Sequence, residues 1–273
     1  MDQDGGARLR AGTEWRAGQG LTQIERATPT EAAIGLAFDG RPHTVLMATP
    51  ADIEDLAAGF TVTEGVATWA DILEVRIEVR DEGVLADVRL APSARPRRAR
   101  PRNLEGRSSC GLCGVQRLAD AVRPMPRVAA GRRLRPEALH RAVSALSDRQ
   151  DLGRLTRATH AAAFADADGN LGLVREDVGR HNALDKLAGA LLRDGVDPEA
   201  GFVVITSRCS FEMVEKAARL GCPTLVAVSA PTDLAIQKAQ EAGLTLVALA
   251  RTDGYTVFTG AARLFAGLTV VAS

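Results

Sequence analysis

The stretch "GFVVITSRCSFEMVEKAARLGCPTLVAVSAPTDLAIQKAQEAGLTLVALA", residues 201–250, decides the fold because short apolar runs alternate in it with amphipathic segments. The runs and the segments between them lie at 201–207, 210–221, 223–230, 231–243 and 244–250. Continuous apolar runs separated by amphipathic helices are typical of parallel βαβ units with helices on both faces of the sheet. The sequence therefore predicts an α/β fold with a mainly parallel sheet.

Polar residues follow each of the three predicted strands, where ligands bind in such sheets. Thr206, Ser207 and Arg208 follow the first strand. A hydroxyl-rich loop between a strand and a helix can hold phosphate groups, and it can equally be a simple helix cap. Ser229 follows the second strand and has the same two interpretations. We take all four as candidate cofactor-binding residues.

A second polar cluster lies in "REDVGRHNALDKLAG", residues 175–189, at a predicted strand-to-helix boundary. Arg180, His181 and Asn182 crowd the start of the helix, where they would form an anion site or a polar site for a guanine. The alternative is an ordinary capped helix with Asp185 and Lys186 in solvent. The pattern does not decide between these two interpretations.

The part of the chain before residue 135 differs in composition from the βαβ region. Residues 1–26 are rich in Gly, Arg and Gln without periodicity, which predicts a mobile tail. Residues 27–134 predict a smaller α+β lobe that ends in an arginine-rich loop, "SARPRRARPRNLEGR" at 93–107. Residues 135–273 then form the larger domain.

Local sequence patterns predict the strands and the helix of the smaller lobe. Alternating apolar residues flank Asp39–Gly40, which predicts a hairpin, and a second alternating pair flanks residues 81–83. Thr49 and Pro50 predict the N-cap and first turn of the following helix.

Composition and charge limit the partners. The chain has 34 Lys plus Arg against 34 Asp plus Glu, and only 4% aromatic residues. A balanced charge and few aromatics argue against nucleic acid and membrane surfaces as partners. The N-terminus does not match a secretory signal, and no apolar run has the length of a membrane span. We therefore expect a cytoplasmic protein, where thiols are reduced.

Cys110 and Cys113 form a Cys-x-x-Cys in "GRSSCGLCGVQ", residues 106–116. A zinc site needs a second ligand pair, and Cys209 and Cys222 stand apart, with Cys222 expected to be a buried, inert thiol. The zinc deaminases pair His-x-Glu with Pro-Cys-x-x-Cys, which this chain lacks. A thioredoxin-like dithiol needs a strand before the motif, where this chain has a basic loop.

A sulfur-carrier function would account for each sequence feature around the two cysteines. Nearby arginines and a helix start would lower a thiol pKa and so favour the nucleophilic thiolate. The flanking glycines, Gly111 and Gly114, leave room for a partner or a bulky cofactor. Zinc and dithiol chemistry remain open alternatives at this point.

Several motifs in order give the chain a resemblance to the formate dehydrogenase accessory sulfurtransferases, the FdhD family. The motifs are "TPADIEDLAAGF", "SSCGLCGV", "THAAAF", "EDVGRHNALDKL", "SFEMVEKAA", "VAVSAPTDLA" and "LTLVALAR". The resemblance implies a cytoplasmic homodimer with a cytidine-deaminase-like C-terminal domain that has no zinc site. It implies that sulfur passes from a cysteine desulfurase, as a persulfide, to the bis-guanine-dinucleotide molybdenum or tungsten cofactor that formate dehydrogenase requires.

The resemblance also assigns roles to residues. Cys110 matches the persulfide cysteine and Cys113 its partner thiol. The stretch matching the family's cofactor-binding segment is Ala250, Arg251, Thr252, Asp253, Gly254 and Tyr255. Asp253 departs from the glycine-arginine pair of many relatives and would disfavour a polyanion. A non-catalytic chaperone for the cofactor and a zinc-binding module are the alternative functions.

Overall fold

The computed structural model describes residues 6–94 and 124–265. Within these ranges the strands are β1 Ala7–Arg16, β2 Gly20–Pro29, β3 Ala32–Phe38, β4 Arg41–Ala48, β5 Ile72–Arg80, β6 Gly83–Leu90, β7 His160–Asp166, β8 Leu171–Asp177, β9 Gly201–Ile205, β10 Thr224–Ala227, β11 Thr245–Arg251 and β12 Gly254–Val257. The α-helices are α1 Ile53–Thr63, α2 Pro136–Leu146, α3 Asp151–Thr156, α4 Arg180–Arg193, α5 Phe211–Leu220 and α6 Asp233–Ala242. Among these described residues, no helix is long and apolar enough to cross a membrane.

The largest sheet has six strands in the order β12-β11-β10-β9-β7-β8. β9, β10 and β11 are parallel, as predicted, because α5 and α6 connect them as crossovers. β7, β8 and β12 are antiparallel to their neighbours, so the prediction of a mainly parallel sheet is wrong. Short turns join β7 to β8 and β11 to β12, and only antiparallel strands can be joined so closely. The sheet is mixed.

Helices cover both faces of this sheet, as the alternation of elements predicted. One core cluster packs α4, α5 and α6 against the sheet through residues such as Leu187, Met213 and Ala239. The other cluster packs α2 against the opposite face through Leu139 and Leu146. The predicted ends of α5 and α6 are confirmed, because a glycine in the left-handed conformation follows each helix.

The smaller lobe contains a four-stranded sheet in the order β4-β3-β6-β5, covered by α1. The predicted hairpin across Asp39–Gly40 is present, and both residues have positive φ, as a two-residue hairpin turn requires. α1 begins later than predicted, at Ile53, with Asp52 as the N-cap residue instead of Thr49. Thr49 makes contacts to α4 and β8 instead, described below.

Residues 7–29 form an antiparallel hairpin of β1 and β2, paired over ten positions. The prediction of an irregular tail over 1–26 is therefore wrong for the described residues from Ala7 onwards. β1 alternates between apolar and charged residues, with Leu9 and Trp15 on one face and Arg8 and Arg16 on the other, so a strand signal was present in the sequence and was overlooked. The domain division at residues 134/135 stays a prediction.

α1 of the small lobe crosses α4 of the large one at very short range. A Cβ on Gly59 would overlap the backbone oxygen of Asp185, and a Cβ on Gly189 would overlap that of Asp55. Glycines at the crossing thus let the two backbones touch. Asp55 is buried and bonds Arg175 and Arg193, each at 2.8 Å.

A buried ion pair stabilises the same crossing. Lys216 of α5 lies 2.8 Å from Asp185 Oδ1 and 2.8 Å from Glu64. Thr63 of α1 donates to Asp185 at 2.6 Å. Burial lowers the pKa of Lys216, but the two carboxylates outweigh burial, so its pKa lies above the ordinary value. The interpretation that places Asp185 in solvent is therefore wrong.

Candidate functional site

The carboxyl ends of β9, β10 and β11 form one edge of the six-stranded sheet. Because β7 is antiparallel to β9, its first residue lies at this edge, and Thr206 after β9 receives a hydrogen bond from Ala161 N at 2.9 Å. β8 ends at the same edge, where Asp177 lies opposite His160. The predicted groups at Arg180 and at Arg208 are therefore brought to one edge of the sheet.

His160 begins β7 at this edge, near several basic side chains. Burial lowers its pKa below 6.5, and the neighbouring Arg180, His181 and Arg208 lower it further, while Asp177 opposes them. The imidazole is therefore neutral at neutral pH. Arg180, His181 and Arg208 thus lie close enough to His160 to act on its charge, and we call His160, Arg180, His181 and Arg208 the basic cluster.

Helix N-termini add to the positive potential at this edge. α4 begins at Arg180 directly after β8, α5 begins at Phe211 after the β9 loop, and α6 begins at Asp233 after the β10 loop. Free N–H groups and the helix dipole favour anions at such ends. The edge therefore suits a ligand with several phosphate groups.

Asn182, a predicted binding residue, has a structural role instead. It is buried, and its amide donates to Met47 O at 2.9 Å and to Asp177 Oδ1 at 3.0 Å. We therefore remove it from the set of ligand contacts. Its bond to Met47 links the helix start of the large domain to β4 of the small lobe.

Asp177 and Lys186 form a second buried ion pair below the basic cluster. Their side chains lie 2.7 Å apart and are both inaccessible to solvent. Asp177 also accepts hydrogen bonds from Thr49 N at 2.9 Å and Gly179 N at 2.7 Å. Lys186 donates to Thr49 O at 2.9 Å. Lys186 is therefore not a solvated residue, and this pair fixes the turn that carries Arg180 and His181.

His181 lies against Glu212 in the first turn of α5. Its Nε2 lies 3.3 Å from Glu212 Oε2, which also accepts a 3.1 Å hydrogen bond from Ser210 Oγ. The other oxygen, Glu212 Oε1, is buried and has no hydrogen-bond partner among the described residues. A buried carboxylate oxygen without a donor is costly, which marks it as a candidate ligand contact.

The loop after β9 presents Arg208 to solvent and buries its neighbours. Arg208 is exposed, whereas Ser207 and Cys209 are buried. Ser207 Oγ donates to Arg208 O at 3.0 Å, so this hydroxyl serves the loop itself. Burial raises the pKa of the Cys209 thiol to about 12, which leaves it protonated and unreactive.

Ser229 lies on the neighbouring loop and does not cap α6. Thr232 is the N-cap, and its side chain accepts from Ala235 N at 3.2 Å. Ser229 O accepts from Leu249 N at 3.2 Å, and Leu249 is an exposed residue with φ of 55°. A leucine in the left-handed region is strained, and such strain is concentrated at ligand sites.

The predicted segment 250–255 forms the hairpin between β11 and β12. Arg251 and Gly254 pair across a two-residue turn at Thr252 and Asp253. The four residues from Arg251 to Gly254 are exposed, whereas Ala250 is buried and can offer only its backbone.

The hairpin lies near the α2 face of the sheet, apart from the basic cluster. Tyr255 donates to Pro136 O at 3.4 Å, and His140 lies 2.6 Å from Thr252 O. Strands β10, β9 and β7 separate β11 from β8, so the hairpin lies about 15–20 Å from Arg180 at the usual strand spacing, whereas Arg208 follows β9 and lies about 10 Å from the hairpin. Only a long ligand would contact both the hairpin and Arg180.

The cysteines of the motif, Cys110 and Cys113, lie outside the described residues, as does most of the basic loop. Burial raises the pKa of Cys222 to about 11, as expected for an inert thiol. Within residues 6–94 and 124–265, no group of three or more His, Cys, Asp or Glu side chains is arranged to hold a metal ion.

Sequence reasoning assigned no role in the site to His160, Asp177, Glu212 or Leu249. His160 lies within "THAAAF", but a single histidine at a strand start carries no spacing signal. Its place beside Arg180 and Arg208 depends on antiparallel pairing of β7, which periodicity did not reveal.

Known proteins resemble this chain in sequence and in fold. A protein called sulfur carrier protein FdhD from Agrobacterium fabrum is 46% identical over 88% of this chain and 90% of its own. A protein of the same name from Xanthomonas euvesicatoria is 43% identical over 97% of this chain and 95% of its own. A crystal structure from Desulfotalea psychrophila, of a protein described as a formate dehydrogenase accessory protein, has a TM-score of 0.75 and 24% identity, and the match covers 94% of this chain and 99% of that one.

The sequence model of the FdhD/NarQ family matches residues 29–265. The match includes the small lobe, the Cys-x-x-Cys segment and the whole six-stranded sheet with its basic cluster. The chain therefore belongs to the FdhD/NarQ family.

Proposed function

We propose that this protein is a sulfurtransferase. It accepts sulfur from a cysteine desulfurase as a persulfide and passes it to the bis-guanine-dinucleotide molybdenum or tungsten cofactor, which is its bound substrate. The sulfurated cofactor then serves formate dehydrogenase. The name carried by the relatives, sulfur carrier protein, supports the carriage of sulfur, and the name of the solved structure supports the destination.

The basic cluster at the edge of the six-stranded sheet carries this proposal. The cofactor contains two dinucleotide arms, each with a pyrophosphate and a guanine. Arg180, His181 and Arg208 face such phosphates together with the N-termini of α4 and α5. Thr206 and Ser229 supply neighbouring polar groups.

The hairpin at 251–255 extends the proposed site along the same edge. Arg251 and the backbone around Gly254 are exposed there, while Asp253 opposes a phosphate. A bis-dinucleotide has the length to reach from the hairpin past Arg208 to Arg180. This geometry favours a long, two-armed substrate.

Cys110 is the proposed acceptor of sulfur. Its thiolate attacks the outer sulfur of the desulfurase persulfide, a new S–S bond forms, and the desulfurase cysteine leaves as a thiolate, so that no external oxidant is consumed. Cys113 assists the onward transfer or resolves the persulfide. The arginine-rich segment before the motif favours the thiolate and attracts the anionic cofactor.

Mass spectrometry tests the sulfur step. After incubation with a cysteine desulfurase and cysteine, we expect the peptide that contains Cys110 to gain the mass of one sulfur atom. The gain should disappear in Cys110→Ala and persist in Cys209→Ala, whose thiol is buried in the wild type. Sulfur loading of Cys110→Ala at the wild-type level would overturn the assignment.

Complementation separates sulfur transfer from a chaperone function. A Cys110→Ser, Cys113→Ser double variant should fail to restore formate dehydrogenase activity in a strain without the endogenous protein, although it should still bind the cofactor. Full activity with the double variant would favour a non-catalytic chaperone for the cofactor.

The remaining parts of the proposal concern assembly and ancestry. We propose a cytoplasmic homodimer that contacts the desulfurase and formate dehydrogenase in turn. We also propose that the large domain is related to the cytidine deaminases. A mixed sheet between two helical layers is consistent with that relation.

A further inference from the structure

Within residues 6–94 and 124–265, β5 is a long edge strand that exposes apolar side chains. It has nine residues, and among the described residues it pairs only with β6. Leu73 is 60% exposed, Ile77 36% and Val79 61%. Alternate residues of such an edge turn their N–H and C=O groups outwards, and natural proteins usually block a strand of this kind.

The charged side chains on the other face of β5 alternate in sign. They are Glu74, Arg76, Glu78 and Arg80. Each arginine bonds the glutamate two residues before it, at 3.0 Å for Arg76 and 2.9 Å for Arg80, and these side chains are about half exposed. Pairs within one exposed strand contribute little to stability, so they do not explain why the alternation is present.

The alternation becomes meaningful when β5 faces a copy of itself. In an antiparallel pair centred on Ile77, residue 74 lies opposite residue 80 of the copy, and residue 76 opposite residue 78. Every glutamate then faces an arginine. On the other face, Val75 lies opposite Val79 and Ile77 opposite Ile77, and such cross-strand pairs stabilise a sheet.

Other registers of the same pairing are disfavoured. A pair centred on Arg76 would place Glu74 opposite Glu78, and a pair centred on Glu78 would place Arg76 opposite Arg80. A pair centred between two residues would place the charged face of one strand beside the apolar face of the other. Pairs centred on Val75 or Val79 also place unlike charges opposite each other, but each makes two such contacts within the strand, whereas the pair centred on Ile77 makes four. The sequence of β5 thus matches its own copy best in the register centred on Ile77.

We infer that β5 pairs antiparallel with β5 of a second copy of this chain, across a twofold axis at Ile77. The two four-stranded sheets then join into one continuous sheet, and the β5 edge of each copy is covered. This inference rests on the homodimer proposed above, in which the second copy is the partner, and it is independent of the sulfur chemistry.

Charged residues on the neighbouring strand β6 continue the alternation of opposite charges across the proposed interface. Arg89 lies 3.5 Å from Glu74, and Asp87 lies opposite Arg76 in the β5–β6 register. In the dimer, Glu74 therefore lies between Arg89 and the arginine of the copy. Arg76 likewise lies between Asp87 and the glutamate of the copy. Ladders of alternating charge would cross the interface on the solvent face of the joined sheet.

A disulfide formed at the twofold axis tests the register. Directly opposite residues in antiparallel strands have Cα atoms about 4.5–5.5 Å apart, within the range of a disulfide. In a Cys110→Ser, Cys113→Ser background, Ile77→Cys should form a covalent dimer under mild oxidation. Val45→Cys is the matched control, because Val45 is an exposed apolar residue on β4, the other edge of the same sheet. Equal crosslinking of both variants, or none of Ile77→Cys, would overturn the inference.

Charge exchange tests the pairing without a covalent bond. Arg76→Glu and Glu78→Arg each create two like-charged contacts in the dimer, so each should weaken dimerisation at least tenfold in sedimentation analysis. The double variant restores opposite charges and should return to within about threefold of the wild-type dissociation constant. Thermal melting of each variant checks that the monomer fold is intact.

The outcomes separate this inference from the proposal on which it rests. A wild-type dimer that neither single exchange weakens would place the interface elsewhere and leave the homodimer standing. A wild-type monomer at high protein concentration would overturn both.

Discussion

At the residue scale, we expect the protonation of His160 in the basic cluster to depend on whether a phosphate ligand is bound. Its pKa lies below 6.5 in the free protein because of burial and the three neighbouring basic side chains. A bound phosphate favours the imidazolium, so the pKa should rise when the ligand binds. By linkage, the affinity for a phosphate ligand should increase as the pH falls from 8 towards 6.

Histidine NMR titrations measure this coupling. The chain has four histidines, so the signals can be assigned by substitution. Addition of GDP should raise the pKa of His160, whereas the signals of His43, which packs between Phe38 and Phe60, should not move. A His160 titration that GDP does not alter would contradict a phosphate site at this edge.

A second prediction at the residue scale concerns Glu212 and the recognition of guanine. Guanine presents N1–H and N2–H donors on one edge, and adenine does not present that pair. The unpartnered Glu212 Oε1 can accept from them. Glu212→Gln should therefore weaken GDP binding about tenfold, about 1.4 kcal/mol, and leave ADP binding unchanged in calorimetry. Glu215→Gln, one turn further along α5, is the matched control, and an equal loss for both nucleotides would argue against base recognition.

At the element scale, the crossing of α1 and α4 joins the small lobe to the large domain. Helix propensity alone predicts that Gly59→Ala would stabilise α1 by up to about 1 kcal/mol. Packing predicts the opposite sign, because the new methyl group would overlap Asp185 O. We expect a loss of about 1–3 kcal/mol or more in urea unfolding.

A matched glycine provides the control for that substitution. Gly12 of β1 has open space around it, with no atom within 4 Å of the position that a Cβ would take, so Gly12→Ala should change stability little. A stabilised Gly59→Ala variant would show that the helices do not approach as closely as described.

The buried pair of Asp185 and Lys216 gives a prediction for the same crossing. Lys216→Met leaves the carboxylate of Asp185 buried without its cation, which should lower the free energy of unfolding by about 3–5 kcal/mol. Lys238→Met removes a pair with the half-exposed Glu241 and should cost less than about 1 kcal/mol. Similar losses for the two variants in urea unfolding would contradict this contrast.

At the scale of the whole molecule, the sequence predicted those parts that depend on local pattern. The strands β9, β10 and β11, the helices between them and the turn at Asp39–Gly40 all carry periodic or turn signals. The antiparallel pairing of β7 with β9 was missed because it joins strands distant in sequence, whereas β8 and β12 follow their partners through short turns that were not interpreted as hairpins. The sequence did not show that Asp185 and Lys186 are buried, because Asp185 pairs with Lys216 and Lys186 bonds Thr49 of the small lobe, both distant in sequence.

In the candidate site, too, local sequence pattern predicted some features and tertiary pairing determined the others. Arg180, His181 and Arg208 stood out as polar residues after predicted strands, but their convergence on His160 required the observed order β9-β7-β8. Asn182 looked similar in sequence and proved to be buried support. Only the tertiary structure distinguishes a candidate ligand contact from buried support, because the local sequence pattern is the same for both.

Binding of GDP to the full-length protein, measured by calorimetry, tests the central claim most directly. Arg208→Ala removes an exposed member of the basic cluster and should weaken binding at least tenfold, about 1.4 kcal/mol. Arg41→Ala is the matched control, because Arg41 is also exposed but begins β4 at the end remote from Asn182. Wild-type affinity in Arg208→Ala, or an equal loss in Arg41→Ala, would contradict a cofactor site at this edge.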